Sequence, residues 1–210
     1  MVGLAAGSPG EVSAHDLYTA YIQHRVHLSV GARHVDLTLD LTFFEEWSSR
    51  ERRTMDANTN GLIARVEVEQ YLQRVAPELA KQVRLLVAGH EVPLACLYEP
   101  EVDLLGSDKA GPGHHRLRLF FFAPTPPDLR AADTLVIEDC LWPEAKALGA
   151  VHVEGSDGCA LEPEKASEPG FAPARSGEAR VFKVECLKPP AVQPAAPSAA
   201  RRISSNTPLR

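Results

Sequence analysis

The chain has 210 residues, 44% of them hydrophobic and 24% charged, a length and apolar content that suit one domain with a buried core and exclude a wholly disordered chain. No run approaches the ~18 consecutive apolar residues that a spanning helix needs, so no transmembrane segment is expected. The net charge of -6 understates the acidity of the body, because residues 188–210 hold four cations and no acid and leave 18 cations against 28 acids in residues 1–187; without clustered Lys and Arg in the body, nucleic-acid binding is excluded as its main business.

In chain order, residues 1–14 (MVGLAAGSPGEVSA) lack a basic n-region and form no complete secretory signal. They nevertheless end in Val12-Ser13-Ala14, which has the small residues of a cleavage-site tail, with His15-Asp16 opening the chain that would remain. A signal-peptide remnant and a cytoplasmic leader both stay open. From Tyr18 to Val30 and from His34 to Phe43 the chain reads as strands, the second alternating Val35, Leu37, Leu39 and Leu41 with Asp36, Thr38, Asp40 and Thr42. Joined by Gly31-Ala32-Arg33, the two predict a hairpin with one wetted face.

The period then changes. Phe43 to Met55 and Val66 to Ala76 carry helix formers; Phe43, Phe44 and Trp47 are expected on one apolar face, and Val68, Tyr71, Leu72 and Val75 on another. Pro77 is expected to close or kink the second helix. Short strand candidates follow at Gln82 to Val87, Val92 to Tyr98, Arg116 to Phe122, Thr134 to Glu138, Val151 to Glu154 and Arg180 to Cys186, separated by Gly, Pro and Asp clusters. This pattern predicts an α+β chain: an antiparallel β-sandwich-like body over residues 15–187, with a helix-loop-helix inserted at 43–77. Arg116 to Phe122, apolar on both faces, is expected to be a central strand. Residues 188–210, rich in Pro, Ala and Ser, predict a disordered tail.

The segment between the helices, DANTNGLIARVE, has the spacing of a twelve-residue calcium loop. Asp56 stands at position one, Asn58 at three, Asn60 at five, Gly61 at six, Ile63 at eight and Glu67 at twelve. A hard cation of this size takes about six to eight oxygens, and alternate residues of a tight loop can aim successive oxygens at one centre. Gly61 permits the sharp turn. Ala64 at position nine has no polar side chain, so water would fill that place. The competing reading is a metal-free turn, since Asp, Asn and Gly build turns unaided.

These thirty or so residues resemble the EF-hand family. The resemblance implies Ca2+ as cofactor, with Asp56, Asn58, Asn60, the Leu62 carbonyl and a bidentate Glu67 as ligands. It also places Val68, Tyr71 and Leu72 where the family is apolar, but Glu51 and Arg52 stand at positions of the entering helix that are usually apolar. No second loop of this pattern is present in the sequence, so Ile63 must pack on the body or on another copy.

A wider likeness rests on Ala14-His15, the strand ending in LDLTF, the D-x-N-x-N-G-x-I-x-x-x-E segment, RLLVAGHEVPL, RLRLFFFAP, LVIEDCLWPE and ALGAVHVEG. Together they look like the extracytoplasmic domain at the front of some bacterial nickel/cobalt-type transporters and related exported proteins. This implies an exported β-domain and a membrane or envelope protein as partner.

The four cysteines, Cys96, Cys140, Cys159 and Cys186, form no C-x-x-C unit and fit either disulfides or buried thiols. The eight histidines are scattered, with His24 and His27 on opposite faces of a strand; His15 with His114 or His115 could hold copper or nickel, against the plainer reading of surface histidines. No G-x-S-x-G or H-E-x-x-H is present, and no enzyme is expected. The sequence therefore points to a calcium-binding module, mainly structural in its use of the ion and extracytoplasmic. A histidine-assisted copper or nickel handling domain and a metal-free interaction domain are the alternatives.

Overall fold

The computed structural model describes residues 21–96, 99–164 and 179–191. The expected leader, His15, the first residues of the first predicted strand, the end of the strand predicted to reach Tyr98, and the tail from residue 192 lie outside the described residues.

Two sheets share one core. The first has the order β5 (Ala95–Cys96), β7 (His115–Pro124), β2 (His34–Phe43), β1 (Tyr21–Val30), β9 (Lys146–Gly155), with β6 (Glu101–Asp103) also on β7, and the second has the order β10 (Ala160–Pro163), β11 (Arg180–Lys188), β8 (Thr134–Asp139), β3 (Val83–Val87), β4 (His90–Val92). In the first, β1 (Tyr21–Val30) and β2 (His34–Phe43) form the expected antiparallel hairpin, and β2 pairs along its length with β7 (His115–Pro124). The short strands β5 (Ala95–Cys96) and β6 (Glu101–Asp103) line the other side of β7, which makes it central as its two-sided apolar pattern suggested. The second sheet is built from β3 (Val83–Val87), β4 (His90–Val92), β8 (Thr134–Asp139), β10 (Ala160–Pro163) and β11 (Arg180–Lys188).

One expectation fails in its detail. The body is not wholly antiparallel, because β9 (Lys146–Gly155) runs parallel to β1 at the edge of the first sheet. Alternating hydrophobicity marks which face of a strand is buried but not the direction of its neighbour. At the end of the described residues Lys188 closes β11, Pro190 is buried, and the Ala191 N–H donates to the Asp157 carbonyl at 2.9 Å.

The core follows from period two. Ile22, Val26, Leu28 and Val30 of β1, with Val35, Leu37, Leu39, Leu41 and Phe43 of β2, meet Leu85, Leu135, Ile137 and Val184 of the other sheet in one buried cluster. His24 falls in phase with that apolar face and is fully buried, hydrogen-bonded through Nδ1 to Asp139 on β8. Arg180 of β11 lies beside Asp139 and donates to the carbonyls of Leu141, Trp142 and Ala145. A polar cluster thus ties the two sheets together where the sequence suggested a scattered surface histidine.

The two helices interrupt the sheets between β2 and β3: α1 is Glu45–Met55 and α2 is Arg65–Ala80. Phe43 ends β2 rather than opening a helix face, and Phe44 sits extended at the cap of α1. Pro77 lies inside α2, which continues to Ala80 and buries Leu79. Among the described residues, no helix is long and apolar enough to cross a membrane.

Candidate metal centre

The connection between α1 and α2 is held by its own side chains. Asp56 leaves α1 at ψ 80, with its N–H still bonded to the Arg52 carbonyl. Its Oδ1 accepts the Asn60 N–H at 3.1 Å and its Oδ2 accepts the Gly61 N–H at 2.9 Å. Asn58 Oδ1 accepts from Asn60 N–H at 2.9 Å, and Asn60 Oδ1 accepts from Leu62 N–H at 2.8 Å. Gly61 has φ +86 with nothing within 4 Å of the place a Cβ would take, so glycine is required there by the backbone and not by crowding.

Glu67, in the first turn of α2, closes the loop. Its Oε1 accepts the Asn58 N–H at 3.1 Å and its Oε2 accepts the Ala64 N–H at 2.9 Å. The second bond is half of a capping box; Ala64 has no side-chain acceptor to supply the other half. Donation from the Ala64 and then the Asn58 N–H holds the Glu67 carboxyl below the usual carboxylate range. Asp56 is 8% exposed and Glu67 5%. Two sheltered carboxylates therefore face the loop interior, held by neutral backbone donors.

Leu62 forms an isolated antiparallel bridge with Lys109. The bonds are made by its neighbours, Ile63 N–H to the Asp108 carbonyl at 2.6 Å and Ala110 N–H to the Gly61 carbonyl at 2.9 Å. In an antiparallel pair of this kind the middle residue turns its own N–H and C=O away from the partner. The Leu62 carbonyl is thereby directed to the same side as its N–H, which meets Asn60 Oδ1 within the loop.

The arrangement brings together all five residues expected from the sequence: Asp56, Asn58, Asn60, Leu62 and Glu67. Among the described residues, no three His, Cys, Asp or Glu side chains group as a metal site. The donor set here is instead two carboxylates, two amides and a carbonyl. All are oxygen donors with lone pairs beyond those taken by the N–H groups, which fits a hard cation and not a soft one. Ile63 packs with Met55 and Tyr71, and with the partly buried Val102, Leu104 and Ala110 of the body.

The two charged positions of α1 explain how it docks. Ser48, Glu51, Arg52 and Met55 recur at helical spacing, and that inward face is mostly polar. Ser48 Oγ meets His115 Nδ1 at 2.6 Å. Glu51 accepts from the Tyr71 hydroxyl at 2.8 Å and from Trp142 Nε1 at 3.2 Å, tying α1 to α2 and to the connection between β8 and β9. Arg52, fully buried, donates from Nε to the Lys109 carbonyl at 2.9 Å, from Nη1 to those of Leu104 at 3.2 Å and His114 at 3.0 Å, and from Nη2 to that of Ser107. It organises the 104–114 segment that supplies the β-partner of the loop. The sequence carried the signal, an arginine at an apolar position, but not its target more than fifty residues away.

Of the expected histidine grouping, His15 lies outside the described residues, and only His114 and His115 are placed. His115 is buried, stacked on Phe43 at 4.4 Å between ring centroids, and burial with the nearby Arg52 pushes its pKa down to about 3. His114 contacts the Phe44 ring edge-on. The four cysteines are thiols; Cys159 and Cys186 are buried and hydrogen-bonded to each other. Compared with known proteins, the chain matches no family model and no curated relative.

Proposed function

We propose that this chain is a calcium-binding module whose single EF-hand uses the ion as a structural brace between two helices and a two-sheet body. The observation that carries the reading is the loop itself. Asp56, Asn58, Asn60 and Glu67 turn their oxygens onto backbone N–H groups of the same loop, with Glu67 spanning it from Asn58 to Ala64. Such inward oxygens at this spacing suit calcium, and two carboxylates balance its charge. The Leu62 carbonyl would join them, with water at the Ala64 position.

A bridge to residues 108–110 takes the place of the second hand with which such loops pair, which favours a brace over a paired sensor that opens a groove. Two carboxylates give modest affinity, on the order of 10⁻⁴ M. Such a site fills outside a cell, so the module belongs in an exported protein, where a membrane or envelope protein is the partner the wider likeness suggests. Thermal melting in millimolar calcium, in magnesium and in chelator tests this. Calcium is expected to raise the melting temperature of wild type, and not that of Glu67→Gln. Equal melting of wild type in calcium and chelator overturns the reading.

A further inference from the structure

The outer face of the first sheet carries a second donor pair, far in kind from the oxygen-rich loop. His27 of β1 and His152 of β9 are Cα partners in the parallel ladder, and both are exposed. Their rings meet edge-on with centroids 5.6 Å apart. Two imidazoles bound to one ion at about 2.0–2.1 Å place their centroids about 4.5–5.2 Å apart for square or tetrahedral angles. A small rotation of exposed side chains on a fixed backbone covers the difference.

The surroundings suit a cation. One step along the same face Ser29 lies opposite Glu154 in the ladder, which sets a carboxylate beside the pair, and one step the other way Arg25 is the nearest cation in register. Imidazole suits the borderline divalent metals, which bind in an order that peaks at copper, whereas calcium prefers oxygen. We propose that His27 and His152 form a bidentate surface site for a divalent transition-metal ion, tightest for copper(II), with water completing the shell. Bound metal clips the edge strand β9 to β1. The site owes nothing to the calcium loop, and the two succeed or fail separately.

Titration of the full chain with copper(II), followed by two-dimensional NMR of the histidine rings and by calorimetry, tests it. Sub-stoichiometric copper is expected to broaden the His27 and His152 resonances together. His27→Ala and His152→Ala should each weaken that binding at least tenfold, while His34→Ala, on the same face, leaves it unchanged. Copper should raise the melting temperature of wild type more than that of either variant. Both variants are exposed-face changes, and unchanged circular dichroism certifies their folding. Absence of broadening at both rings overturns the proposal, as does wild-type affinity in either variant, since one histidine would then be a lone ligand or none.

Discussion

Arg52 is the residue on which the helix-loop-helix most depends outside the loop. Its guanidinium meets four carbonyls from one segment, a fork that a lysine ammonium cannot reproduce. Arg52→Lys should cost about 2–4 kcal/mol in urea unfolding, since buried carbonyls lose their donors; a loss below about 0.5 kcal/mol would show the latch to be idle. His115 sets the acid response. Its folded pKa of about 3 lies below the ordinary imidazole value of 6.5, so between these values the unfolded chain binds a proton that the fold refuses. Stability present above pH 6.5 is therefore lost as pH falls toward 3, with a slope of about 1.4 kcal/mol per pH unit from this group. Burial lowers the His24 pKa in the same direction. Urea unfolding at a series of pH values should show a shallower slope in His115→Gln than in wild type, whatever its absolute stability.

At the scale of elements, the loop was legible because its geometry is local. The Gly61 N–H and the alternating side-chain oxygens from Asp56 to Asn60 bond only within the loop, so spacing alone specifies them. Gly61→Ala should cost about 1–3 kcal/mol in urea unfolding from its positive φ alone, since a methyl meets no neighbour; a neutral result would mean that the loop can turn otherwise. The strands of the hairpin were legible for the same reason, each residue declaring its face. What the sequence withheld was long-range. Neither the parallel seat of β9 on β1, nor the three-residue β6, nor the pairing of Leu62 with Lys109 leaves a periodic trace. Of the two outcomes expected at Pro77, closure of the helix does not occur. A proline forfeits one bond to the preceding turn, yet α2 runs three residues further and buries Leu79 against the shared core.

For the whole molecule, the satellite cluster of Met55, Ile63 and Tyr71 shares Leu72, Val75 and Val102 with the main core. An ion held in the loop would therefore stiffen the junction of the helices with the body, with no groove to open. With a dissociation constant near 10⁻⁴ M, millimolar calcium would add about 1.4 kcal/mol of stability through RT ln(1 + [L]/Kd). A hydrophobic dye should bind no more strongly with calcium than without; a several-fold calcium-dependent rise would favour a sensor. Calorimetric titration of calcium into wild type beside Glu67→Gln and Asn58→Ala tests calcium binding at the loop most directly. One site is expected, weakened most by Glu67→Gln because that change removes charge from the carboxylate that closes the loop, and less by Asn58→Ala. Equal affinity in wild type and Glu67→Gln, or no calcium heat in wild type, would contradict it and leave the loop a turn held by its own hydrogen bonds.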